Sequence, residues 1–165
     1  MSGAAERAWQ ALRGVVDPEI PVLTILDLGI VRDVAARGDA VEVVITPTYS
    51  GCPATHAIGE DIRRALAAAG FAEARIRTSL SPAWTTDWMT AEGREKLRKF
   101  GIAPPGRGAA SPAKIALFRA EAAGVDCPHC GSAETERLAA FGSTACKALY
   151  RCRDCREPFD HFKAI

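Results

Sequence analysis

Cys127-Pro-His-Cys130 and Cys152-Arg-Asp-Cys155 are two C-x2-C pairs separated by 21 residues near the end of a 165-residue chain. No other feature constrains the fold as much, because two tight turns can each aim two sulfurs at one tetrahedral centre. Gly131, directly after Cys130, suits a backbone that must turn without a Cβ. Between the pairs, TERLAAFGSTACKALYRC offers two short strands around Gly142-Ser143-Thr144, and Pro158–Lys163 offers a third. Residues 126–165 are too few to bury a self-sufficient core. Ion binding, on the order of 10 kcal/mol for structural zinc sites, then has to supply much of the folding free energy. We therefore expect a zinc ribbon over 126–165 with Cys127, Cys130, Cys152 and Cys155 as ligands. Zinc is favoured over iron, although four closed thiolates suit either ion.

The rest of the chain reads as an ordinary folded domain. Hydrophobic residues make up 48% and charged residues 25%, close to the globular average, so wholesale disorder is not expected. Lys plus Arg number 21 against 20 Asp plus Glu, which leaves no basic excess for a phosphate backbone. The basic run Arg94–Lys99 reads as a solvated helix face, and a nucleic-acid role is disfavoured. The N-terminus MSGAAERAWQALRGVV has no signal-like apolar core, and no stretch is long and apolar enough to span a bilayer. A cytoplasmic location is expected, where thiols stay reduced. The six cysteines are then better read as metal ligands or reactive thiols than as disulfides. Cys146 stands outside both pairs and reads as a small buried apolar residue, with a Cys52–Cys146 disulfide left open. His56, His129 and His161 are lone histidines that a complete four-thiolate shell does not need.

Helical spacing of Ala8, Trp9, Leu12 and Val15/Val16 predicts a helix over Glu6–Val16, stopped by Asp17-Pro18. Ile30–Ala35 and Val41–Thr46 read as strands joined by the turn Arg37-Gly38-Asp39. Ala54–Ala69 places Ile58, Ile62, Ala65, Leu66 and Ala69 on one helix face, with Gly70 as its C-cap. Ala74–Leu80 reads as a third strand and Thr90–Phe100 as a short helix. Pro104-Pro105-Gly106 opens a Gly/Ala/Ser/Pro stretch without core period. The expected organisation is a first domain at 1–103, a linker at 104–125 and the ribbon at 126–165. The fold class expected is α+β: a small α/β domain with a short sheet and packed helices, then the ribbon.

Within the first domain Cys52 is singled out by Thr46-Pro-Thr-Tyr-Ser-Gly-Cys-Pro-Ala, between a strand and a helix. Pro53 fits the first helical position, which puts Cys52 at or near the N-cap. There, unpaired N–H groups and the helix dipole favour a thiolate, a better nucleophile or soft-metal ligand than a thiol. Hydroxyls at Thr46, Thr48, Ser50 and Thr55 can line such a turn. Asp17, Glu19 and Asp27 lie in the loop-rich segment before the first strand, and by themselves read as turn and helix caps. Trp84 and Trp88 read either as an aromatic patch or as cover for the sheet, and Asp87 is equally ambiguous.

DPEIPVLTILDLGIVRDV, TPTYSGCPA and WTTDWM resemble the small domain of SufT-like iron–sulfur cluster assembly factors. Joined to CPHCGS…FGSTACKALYRCRDCREPFDHFK, the arrangement resembles the PaaD family, accessory to the multicomponent phenylacetyl-CoA epoxidase of aerobic phenylacetate degradation. The resemblance covers nearly the whole chain. It implies help in inserting or repairing an iron-containing centre, in the di-iron oxygenase or in the iron–sulfur reductase. Cys52 matches the family's reactive cysteine, implying iron or an iron–sulfur cluster as its cargo beside the ribbon's zinc. Asp17, Glu19 and Asp27 fall in the family's acidic motif. Expected partners are epoxidase oxygenase or reductase subunits, without nucleic acid or membrane, and self-association stays open. The alternative is a stoichiometric subunit contributing to turnover. No Glu-x-x-His helical pair, Rossmann glycine fingerprint or P-loop is present in the sequence, so oxygen activation, hydride transfer and nucleotide hydrolysis are expected of partners.

Overall fold

The computed structural model describes residues 3–106 and 125–163. By packing, the chain divides into two units, Met1–Gly93 and Arg94–Ile165. In the first, α1 (Gly3–Leu12) precedes a three-stranded sheet of order β1-β2-β3, formed by Val31–Arg37, Ala40–Ile45 and Glu73–Thr78. The β1–β2 pair is an antiparallel hairpin, Val34 facing Val43, turned at Gly38 with φ of 61°. β2 and β3 pair in parallel, Val43 opposite Ile76, and α2 (Ala54–Ala68) is the crossover between them. α1 packs on β1 and α2, and α2 on β3, with Leu12, Val43, Ile62 and Leu66 fully buried.

Local chemistry sets the boundaries. Gly70, at φ of 87°, ends α2: its N–H donates to Ala67 O (3.0 Å) while Phe71 N–H donates to Leu66 O (3.1 Å), the paired bonds of a Schellman motif. α1 stops at Leu12, four residues short of the expected Val16. The β-branched Val15 and Val16 leave the helix to pair with the segment at 23–25: Ile25 N–H donates to Val15 O (3.0 Å) and Asp17 N–H to Leu23 O (2.8 Å). Thr90 Oγ1 accepts from Gly93 N–H (2.9 Å) and starts α3 (Ala91–Lys99).

The second unit carries a four-stranded sheet of order β4-β7-β6-β5, from Ile102–Ala103, Pro158–Phe162, Lys147–Cys152 and Thr135–Ala139. Three of these strands were expected; β4 was not. It runs parallel to β7, Ile102 opposite Asp160. Ile102 and Ala103, expected at the end of the first domain, thus belong to the ribbon's sheet. Residues 107–124 of the expected linker lie outside the described residues. Ala103, Cys127, Ala148, Tyr150, Cys152 and Phe159 form the ribbon's small core. Lys147 is buried, and its Nζ lies 3.1 Å from Asp160 on the neighbouring strand. Among the described residues no helix is long and apolar enough to cross a membrane.

Candidate functional site

The four ribbon cysteines converge. All four Sγ atoms lie within 4.8 Å of one another, with Cys127–Cys155 at 3.7 Å and Cys130–Cys152 at 3.6 Å. Zinc–sulfur bonds of about 2.3 Å in a tetrahedron place sulfurs about 3.8 Å apart, so the two closest pairs already have that spacing and the donor set fits a four-thiolate ion. Each pair is held by a knuckle. Gly131 N–H donates to Cys127 O (2.8 Å), and Cys152 N–H to Glu157 O (3.0 Å). The residue after each second ligand is left-handed, Gly131 at φ of 79° and Arg156 at 66°.

Crowding splits the thiols. The backbone N–H groups of Cys155 and Asp154 bring Cys152 down to about 7. The Glu157 backbone favours the Cys155 anion, but burial and the thiols of Cys152, Cys130 and Cys127 outweigh it and push Cys155 up to about 12. Cys130 is raised too: its hydrogen bond from the Ser132 backbone is outweighed by Cys152 and by lost solvation. Four sulfurs this close do not all carry charge alone, and a bound cation is what lets them. His129 is exposed beside Gly101, whose Cβ position would lie 3.2 Å from the imidazole Cε1. His161 sits edge-on to Tyr150 at 5.4 Å between ring centroids, and burial lowers its pKa. Cys146 is buried, its Sγ 3.1 Å from Thr144 Oγ1, and all six cysteines are free thiols.

In the first unit, Cys52 stands just ahead of α2. Pro53, not Cys52, occupies the N-cap position, with no side-chain cap bond. Cys52 N–H donates to Tyr49 O and Thr55 N–H to Cys52 O, both at 3.2 Å, so the cysteine is fixed in a tight turn. It lines a cavity of ≈ 20 Å³ with Asp17, Thr48 and Thr55, walled by Leu28, Ile30, Ile45, Pro47 and Ile58. Thr46 and Ser50 are not among the lining residues. Thr46 is buried and donates its N–H to Ile30 O (2.8 Å), closing the sheet beneath the cavity.

The acidic residues separate. Asp17 is buried, and its Oδ1 accepts the N–H groups of Glu19 and Ile20, each at 2.8 Å. Asp27 Oδ2 accepts from Thr24 N–H and Oγ1, each at 2.9 Å, while its backbone carbonyl accepts Thr90 N–H (2.9 Å). Asp27 thus ties the loop to the start of α3. Neither Asp27 nor Glu19 lines the Cys52 cavity; Asp17 alone of the three does. Trp84 is buried with Nε1 on Leu28 O (2.9 Å), and Arg32 stacks its guanidinium 3.6 Å from the Trp88 ring centroid. Both tryptophans brace the loop behind the cavity rather than form a patch. The apolar wall was missed in the sequence, where Ile30 and Ile45 read only as strand positions, Ile58 as part of a helix face and Leu28 as part of a loop-rich segment.

The family described as "PaaD zinc beta ribbon domain" matches residues 111–163, and the one described as "Iron-sulfur cluster assembly protein" matches residues 5–76. The chain is 53% identical to a subunit of the "Putative 1,2-phenylacetyl-CoA epoxidase" of Escherichia coli (strain K12), over 95% of this chain and 91% of that protein. It is 38% identical to "Fe-S protein maturation auxiliary factor" of Porphyromonas gingivalis, over 52% of this chain and 83% of the relative. A crystal structure of a "Domain of Unknown Function DUF59" from Bacillus anthracis superposes with a TM-score of 0.53 at 26% identity, covering 56% of this chain and 90% of that one. Cys52 falls within the region matched at 5–76 and the four ribbon cysteines within that matched at 111–163.

Proposed function

The chain belongs to the family that joins an iron–sulfur cluster assembly domain to a PaaD zinc β ribbon, and from that membership we propose an accessory maturation factor. It assists insertion or repair of an iron-containing centre in a phenylacetyl-CoA epoxidase system. Cys52 is the residue that holds iron or a cluster in transit. The ribbon holds a zinc ion in Cys127, Cys130, Cys152 and Cys155; bound there, the ion cross-links the two knuckles and fixes the sheet. The observation that carries the reading is Cys52 held in a tight turn at the wall of a small, largely apolar cavity that the buried Asp17 also lines. A fixed sulfur with a neighbouring carboxylate suits capture and release of a cation better than a closed four-thiolate shell, which leaves no open position.

The Escherichia coli relative is named as part of the epoxidase itself, which favours a second reading, a stoichiometric component needed during turnover. The two differ in timing. Cys52→Ser removes the sulfur with little change in volume. Cells carrying this variant should yield epoxidase short of iron, while epoxidase matured beforehand turns over without the factor. Iron content and turnover of the purified epoxidase are the measurements. Full iron loading with the variant sinks the transfer role, and loss of turnover on stripping the factor from mature enzyme installs the second reading.

A further inference from the structure

β5 is the outermost strand of the ribbon sheet, and among the described residues no strand pairs with its free side. Arg153 N–H donates to Glu134 O (2.7 Å), so by the alternation of an antiparallel ladder Glu136 bonds to β6 while the main chain of Arg137 faces outward. Such an edge accepts another strand, and chains blunt it with several charges, a proline or a cover. Here residues 137–141 are all exposed and carry a single charge, that of Arg137. Leu138 is 50% and Phe141 67% exposed. Phe141 is also held in place: Lys163 Nζ lies 4.2 Å from its ring centroid and donates to Ala140 O (3.2 Å). An apolar run beside open main chain, with an aromatic ring fixed in water, is a surface built for contact.

We propose that this edge docks an extended, apolar segment of a partner protein that also carries acidic residues, and that the segment adds as a strand to β5 and covers Leu138 and Phe141. The inference rests on the maturation reading for the source of the partner, the epoxidase that the factor serves, and assigns the contact to the ribbon. Charge selects the occupant. Arg137 has no ion-pair partner among the described residues, and the Lys163 ammonium meets a carbonyl and a ring rather than a carboxylate. Two cations beside an apolar edge thus lack acids, and Asp or Glu among the apolar residues of a partner strand supplies them. A second copy of this chain does not. Its edge brings the same two cations, and Glu136, the one carboxylate of β5, is already shared by Arg151 and Arg153.

The test uses the full zinc-filled chain, with purified phenylacetyl-CoA epoxidase as the probe, and scores both binding and iron loading of the epoxidase. Hydrogen exchange at the Arg137 amide should be fast in the chain alone and slow in the complex. Arg137→Glu and Leu138→Ser, both at exposed positions, should each weaken binding about tenfold or more while zinc content and melting stay as in the wild type. Arg137→Lys should keep most of the affinity, and added salt should weaken the wild type more than Arg137→Glu. If Arg137→Glu and Leu138→Ser bind and load the epoxidase as the wild type does, the surface is overturned and the maturation reading stands. If the wild type neither binds nor loads the epoxidase, both fall. Slow exchange at Arg137 in the chain alone shows the edge already covered, and a dimer in sedimentation that Leu138→Ser dissolves makes the cover a second copy; either result overturns the proposal.

Discussion

At Gly29 the backbone has φ of 69°, and a Cβ there would stand 2.2 Å from the carbonyl oxygen of Trp88. Both facts point the same way: the loop behind the cavity is pressed against the Thr86–Trp88 turn so closely that only hydrogen fits. Arg32 reinforces the contact, its Nη1 reaching Gly29 O (3.3 Å) while its guanidinium covers the Trp88 ring. Gly29→Ala therefore has to move backbone rather than a flexible side chain. We expect it to destabilise the first unit by about 2 kcal/mol or more, read as a lower denaturation midpoint by tryptophan fluorescence. Asp17 works at the same scale and differently. By accepting two backbone N–H groups it holds the 17–20 turn, which keeps Asp17 among the residues that line the cavity with Cys52.

Among the elements, β7 couples stability to pH. His161 on this strand packs against Tyr150 of β6, and burial lowers its pKa below the ordinary 6.5. The unfolded chain then binds more protons than the folded one between the folded value and 6.5. The stabilisation is fully present above 6.5 and is lost as pH falls through the folded value. His161→Phe keeps a ring against Tyr150 and removes this dependence. Below about pH 6.5 the wild-type ribbon should lose more stability than the variant. Thiolate protonation is common to both chains and cancels, and unfolding curves at matched zinc measure the difference. A wild-type curve parallel to the variant's would show that His161 does not titrate in this way. Legibility also divides at this scale. α2 with its Gly70 stop, the hairpin at Gly38 and the two cysteine knuckles are set by neighbours within a few positions, so residue order alone reveals them. β4 has two residues and no period; it exists only because β7 offers a partner, so no local pattern announces it. The cavity escaped for the same reason. Its walls come from positions 17, 28, 30, 45 and 58, brought together by pairing and packing that single-sequence periodicity does not encode.

Across the whole molecule the two units depend on different sources of stability. The first has a continuous apolar core running through Leu12, Leu23, Ile25, Val43, Ile62 and Leu66, all fully buried. The ribbon has a core of a few residues, two of them metal-ligand cysteines. Cys130→Ser should therefore release zinc and unfold the chain from β4 onward while the first sheet persists. Zinc content with limited proteolysis checks it: cuts confined to the ribbon are expected, and a variant that keeps its metal and resists cleavage overturns the four-thiolate assignment. The parallel pairing of β2 with β3 has a different consequence, one of timing. The hairpin can close on its own, but β3 reaches β2 only after α2 has crossed, and such non-local pairings form late. Cys52 sits where that crossover begins, with Asp17 waiting on the opposite side of the chain's history, long since synthesised. During this interval the Cys52 thiol of a newborn chain is not yet held in its turn ahead of a finished α2. Oxidant or stray copper thus meets it more readily in molecules still being made than in those already folded, where the residue is half-buried.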